Sequence, residues 1–133
     1  MRVLTGLLLL LAVAANAHAQ ANCANAADQA SMSACAERAY RKSDAELNRA
    51  YEAVTARVRD NRPLAEKLVS AQRAWVAYRD AECGFSSAGA EGGSVHPMVV
   101  SMCLDDLTKA RTESLQGYLS CEEGDLACPV PAK

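Results

Sequence analysis

An all-α fold, a small antiparallel three-helix bundle held by disulfides, is the class this sequence predicts, and three observations predict it. The chain is rich in Ala, contains no Ile and has one Trp and one Phe, a composition that favours helix over sheet. Apolar residues recur at three- and four-residue steps in three separate stretches, the period of an amphipathic helix. Six Cys accompany too few large apolar side chains for a thick core, so covalent cross-links are expected to supplement packing.

The N-terminus comes first because it changes the count. Met1-Arg2, an apolar run from Leu4 to Ala15 and the small-x-small site Ala17-His18-Ala19 read as a secretory signal peptide over 1–19. The run is too short to span a membrane as a helix, and no second one follows. Cleavage before Gln20 leaves 114 of the 133 residues, 22 of them Ala. Without Arg2 there are 13 Lys+Arg against 16 Asp+Glu, a net charge of about −3 with His neutral. One domain over 20–133 fits that length, with its core at about 23–119 and a short tail at 120–133. A mildly acidic chain without a basic stretch excludes nucleic acid as a partner. Cys23 follows Gln20-Ala21-Asn22 rather than the apolar run, so neither a lipid anchor nor stable membrane insertion is expected. The expected location is the periplasm or the exterior.

In the first helical stretch Met32, Cys35, Ala39, Leu47, Tyr51, Val54 and Val58 form the apolar stripe, and Asn61-Arg62-Pro63 ends it. Pro63 suits the first turn of the next helix. There Leu64, Leu68, Ala71, Trp75, Tyr78 and Glu82 share a side up to about Phe85. Ser86 to His96 is loop by composition, and Pro97 opens a third helix striped by Val100, Leu104, Leu107, Arg111, Leu115, Tyr118 and Leu119. Short links between long helices imply antiparallel neighbours.

Six Cys allow fifteen pairings. Spacing favours the local set Cys23–Cys35, Cys83–Cys103 and Cys121–Cys128. A straight helix between Cys23 and Cys35 would hold them about 18 Å apart, beyond bridging range, so the chain before roughly Asp28 is expected to fold back on the first helix. No C-x-x-C occurs and His96 is the only histidine after the leader, so no metal and no cofactor are expected.

Polar residues on the apolar sides need partners, because an unpaired buried charge is expensive. Asp44 and Asn48 are i,i+4 neighbours, and Gln72, Trp75, Arg79 and Glu82 follow at steps of three and four. Thr108 and Arg111 sit similarly on the third helix. The reading is an inter-helix network that fixes register, with Trp75 mostly buried. Catalysis finds no constellation: His96 lacks an orienting carboxylate, paired thiols supply no nucleophile, and Asp105 and Asp106 point about 100° apart on a helix.

The blocks Cys35-Ala-Glu-Arg-Ala-Tyr40, Asp44-Ala-Glu-Leu-Asn48-Arg-Ala-Tyr51, Ala71-Gln-Arg-Ala-Trp75-Val-Ala-Tyr-Arg79-Asp-Ala-Glu-Cys83, Glu91-Gly-Gly-Ser94 and Cys103-Leu-Asp-Asp-Leu-Thr108-Lys-Ala-Arg111-Thr-Glu-Ser-Leu115 occur in that order. Together they resemble the LprI-type lysozyme-inhibitor domain of exported bacterial proteins, over roughly Cys23 to Leu119. The resemblance implies a helical, disulfide-bonded envelope protein that binds a protein, a c-type lysozyme being the implied partner, and brings no catalytic residues with it. Another envelope protein as partner, with a structural or interaction role, is the rival reading. Two contact elements are expected. One is the loop with Glu91, Gly92, Gly93, Ser94 and His96; the other is the acidic tail loop with Glu122, Glu123 and Asp125, which can steer a cationic enzyme.

Overall fold

A computed structural model describes residues 23–132. The leader expected at 1–19 and its cleavage point lie outside the described residues. Helix α1 spans Gln29–Val58, α2 spans Arg62–Ser87 and α3 spans His96–Tyr118, with short 3₁₀ turns at Cys23–Asn25 and Ala88–Ala90. The described residues contain no strand, and none of their helices is long and apolar enough to cross a membrane.

Local chemistry sets the helix starts. The Asp28 carboxylate caps α1 by accepting from the Ser31 amide at 2.9 Å and the Ser31 hydroxyl at 2.7 Å. That pair lowers the Asp28 pKa. Asn61 caps α2 by accepting from the Leu64 amide at 3.2 Å. Pro63 and Pro97 lie in the first turns of α2 and α3, where a missing N–H costs nothing.

Contacts along the helices fix their directions. Gln29 reaches Met98 at the start of α3, Ser43 bonds Asp105 further along, and Arg57 donates to the Pro131 carbonyl beyond the end of α3. Helices α1 and α3 therefore run parallel. Helix α2 runs against both, as Gln72–Arg111, Cys83–Cys103 and Ser87–His96 place its end beside the beginning of α3. The bundle is up-down-up, as the sequence predicts, and α3 is the principal partner of α1. It has two ends: a loop end, holding the start of α1 and the α2–α3 connection, and a tail end, holding the α1–α2 turn and residues 119–132.

All three cross-links join the cysteines that spacing favours, with Cα–Cα distances of 5.6, 5.6 and 5.4 Å. The chain before Asp28 does fold back so that Cys23 meets Cys35. The buried apolar cluster, by contrast, sits in one half. It consists of Leu47, Ala50, Val54, Val58, Leu115, Cys121 and Val130, flanked by Tyr51, Leu64, Leu68 and Trp75.

Two helices are rotated relative to their apolar stripes. In α3 the buried line is Asp105, Thr108, Thr112 and Leu115, while Leu104, Leu107 and Arg111 lie half-buried beside it. In α2, Gln72 and Arg79 are half-buried and Cys83 is fully buried, whereas Ala71 is exposed and Tyr78 is 55% exposed. Tyr78 thus faces out, contrary to the stripe. Trp75 is half-buried at the rim of the cluster rather than enclosed within it.

Candidate functional site

The polar residues singled out on the inner faces form two separate groups. In the first, the Arg79 guanidinium lies 5.1 Å from the Trp75 ring centroid and 5.8 Å from that of Tyr40, a cation–π sandwich. Its nitrogens reach Asp80 at 2.8 Å and Asp44 at 3.8 Å, and its side chain is only 11% exposed. Asp44 in turn accepts from Asn48 at 3.3 Å. Burial pushes the Tyr40 hydroxyl pKa up, and the nearby Arg79 charge only partly opposes this. In the second group, Arg111 Nε donates to Gln72 Oε1 at 3.0 Å. Glu82 is half-buried and makes no ion pair among the described residues, and Thr108 is fully buried with its hydroxyl unpartnered. The arrangement joins α1 to α2 and α2 to α3, which suits a device that fixes helix rotation.

A third polar group escaped the sequence reading. Asp105 is 7% exposed; it accepts from Ser43 of α1 and from Lys109 Nζ at 2.6 Å. Burial works to raise the Asp105 pKa, but the two hydrogen bonds and the Lys109 charge outweigh it, so the net direction is down. The same bond raises the Lys109 pKa. The i,i+4 spacing of Asp105 and Lys109 was a visible signal; the Ser43 partner, 62 residues away, was not. Asp106 next door is exposed, so the adjacent carboxylates diverge as helix geometry requires.

At the loop end the connection is shorter than composition suggests. Helix α2 continues through Ser87, and His96 is the first residue of α3 rather than part of a loop. Ser87 is 1% exposed and its hydroxyl lies 3.3 Å from His96 Nε2. Together with the Cys83–Cys103 bridge this contact clamps both roots of the turn. Glu91, Gly92, Gly93 and Ser94 are all exposed at its tip. Gly92 has φ +78°, which disfavours any residue with a side chain, and a Cβ on Gly93 would lie 3.2 Å from the Ala90 carbonyl oxygen. Beside the turn, Phe85 is 81% and Met102 52% exposed.

The acidic tail loop is elsewhere. Glu122, Glu123 and Asp125 are exposed, and the Asp125 carboxylate accepts from the Ala127 amide at 2.9 Å. Helix α3, 23 residues long, separates this loop from the Glu91–Ser94 turn, by about 35 Å at 1.5 Å per residue. The two expected contact elements therefore form no single patch. Charge follows the same division. Residues 28–44 and 79–109, on the loop side and including the Asp105–Lys109 pair, carry eight carboxylates and five Lys or Arg, whereas 46–73 and 111–125 carry eight and seven.

The described residues thus form a cross-linked three-helix bundle that displays a clamped, exposed turn at one end. Comparison with known proteins identifies its family. The family described as lysozyme inhibitor LprI matches residues 19–115, and the chain belongs to that family. An uncharacterized protein of Rhizobium meliloti (strain 1021) is 39% identical over 129 residues, covering 86% of this chain and 93% of the relative. No solved structure matches the chain.

Proposed function

We propose that the protein is an exported, non-catalytic inhibitor whose loop end docks on a c-type lysozyme. The mature form in this reading is a single domain, Gln20–Lys133, released to the periplasm or exterior after removal of the leader. Family membership supports inhibition as the activity, and three disulfides suit an oxidising compartment. The observation that carries the choice of surface is the excess of carboxylates on the loop side, where eight stand against five cations. A cationic enzyme is drawn to that end first. The Glu91–Ser94 turn then enters or covers the cleft with little ordering cost, since its roots are already fixed by Cys83–Cys103 and by Ser87 against His96. Phe85, 81% exposed beside the turn, supplies an apolar anchor of the type that dominates interfaces. The polar groups around Arg79 and Gln72 act in support by holding α2 in register.

The test is lysis of a cell-wall suspension by hen-type lysozyme with the mature protein at stoichiometric amounts. The parent slows lysis. Glu91→Lys combined with Ser94→Ala restores lysis with unchanged thermal stability; Gly92 and Gly93 stay in place because their backbone needs them. Neutralising Glu122 and Glu123 mainly slows association at low salt. Unchanged inhibition by the turn variant would remove the loop end as the contact surface. A parent that never slows lysis would favour the rival role, binding another envelope protein.

A further inference from the structure

A cavity of about 310 Å³ lies at the tail end, away from the turn assigned above to lysozyme. Helix α1 contributes Val54 and Val58, 1% and 2% exposed, and α2 contributes Leu64 and Leu68. The tail adds Pro129 and Val130; Val130 is 4% exposed although it lies beyond the last helix. The Cys121–Cys128 bridge fixes the residue just before Pro129, and Arg57 holds the Pro131 carbonyl. The tail is thus tied down on both sides of the residues it adds to the cavity.

The charged lining is of one sign. Lys67 and Arg111 border the cavity, and no carboxylate does. Among the described residues neither cation has an ion-pair partner, and Arg111 meets only the neutral Gln72 amide. A guanidinium beside an apolar wall with no anion to neutralise it favours a ligand that brings one. The volume is at the small end of ligand pockets. At about 30 Å³ per heavy atom, the share a water takes in the liquid, it holds about ten such atoms. A two-chain phospholipid is several times too large.

We propose that this cavity binds a single short acyl chain ending in a carboxylate, with the chain along Leu64, Leu68, Tyr118 and Pro129 over a floor of Val54, Val58 and Val130 and the carboxylate at Arg111 and Lys67. Octanoate, with ten heavy atoms, is the matching probe. This assignment does not depend on the lysozyme reading, because the site is at the opposite end of the bundle.

The experiment is a titration of the oxidised mature protein with octanoate, followed by amide and methyl NMR. Saturable shifts confined to the residues that line the cavity and their neighbours are expected. Octylamine, equal in length and opposite in charge, should bind at least tenfold more weakly. Lys67 is exposed, so Lys67→Glu leaves the fold intact and should weaken octanoate at least fivefold at unchanged melting temperature; Arg111→Gln should weaken it further. Shifts that fail to saturate or scatter over the surface would overturn the site. Equal binding of octanoate and octylamine, or Lys67→Glu without effect, would overturn the carboxylate assignment.

Discussion

The two halves of the bundle are held together by different physics. In the tail half, Leu47, Ala50, Val54, Val58, Leu115 and Val130 form one continuous apolar cluster. In the loop half the buried side chains are Ser43, Cys83, Ser87 and Asp105, and two of the three disulfides are found there. Removal of apolar surface from water stabilises one end; covalent cross-links and satisfied polar pairs stabilise the other. The half that carries the acid excess and the exposed turn is therefore the half with the smaller apolar core and two of the three cross-links.

The sharpest way to break the contrast is to remove the centre of the tail half. Leu115 is 0% exposed, and Leu115→Ala should cost about 3–5 kcal/mol, as truncation of a fully enclosed Leu does. Thermal unfolding monitored by circular dichroism checks this. The counterpart in the loop half is the double replacement Cys83→Ala with Cys103→Ala. Their separation of 20 residues corresponds to a loss of about 3 kcal/mol in the chain-entropy picture. Hydrogen exchange should locate the damage: amides of 83–103 lose protection first, while Val54 and Leu115 keep theirs until global unfolding. Equal loss of protection in both halves would erase the distinction. Trp75, half-buried where the halves meet, gives an intermediate case. Trp75→Ala should cost about 2 kcal/mol, less than the about 3–5 of an enclosed ring, and should loosen Arg79 by removing one face of its cation–π sandwich.

What the sequence discloses about the fold follows the same division. Periodicity identifies three helices and their turns, because apolar spacing, Asn61, Pro63 and Pro97 are local signals. The α1 stripe agrees with the buried line through Leu47, Val54 and Val58, since that helix faces the apolar cluster. Helices α2 and α3 are rotated away from their stripes because Arg79 and Gln72, and Asp105, Thr108 and Thr112, occupy inner positions. Asp105, Arg79 and Gln72 go inside where a partner waits, and the partners Ser43, Tyr40 and Arg111 lie on other helices, whereas Thr112 bonds the Thr108 carbonyl of its own helix and the Thr108 hydroxyl is buried unpartnered. No local pattern encodes those meetings. The cysteine pairs were legible because each closes a short segment. The separation of the Glu91–Ser94 turn from the acidic tail loop was implicit in the up-down-up order, since all of α3 stands between them.

The smallest expected effect tests the polar half most directly. Asp105 binds Ser43 and Lys109 from a nearly buried position, and its pKa is lowered in the folded protein. A carboxylate with a depressed folded pKa contributes stability that is present above its unfolded value, near 3.8, and is lost as pH falls through the folded value. Lys109 has the opposite sign: its folded pKa is raised. Its contribution is complete below the unfolded value, near 10.5, and disappears as pH rises through the folded one. The pair should therefore stabilise the bundle across the neutral range and weaken at both extremes. Asp105→Asn keeps an acceptor for Ser43 but removes the charge, and should cost about 1 kcal/mol at pH 7, less than a fully desolvated charged hydrogen bond because the Lys109 side chain is 57% exposed and screened by water. The difference from the parent should begin to shrink below about pH 4, where the unfolded parent takes up a proton, and vanish only as pH falls through the lowered folded value. Asp28, whose pKa is also lowered, is untouched by this variant and so cancels in the comparison. Urea midpoints measured from pH 3 to pH 7 give the result. A constant gap between parent and variant over that range would mean that Asp105 acts through shape rather than charge, and that the loop half depends on its disulfides alone.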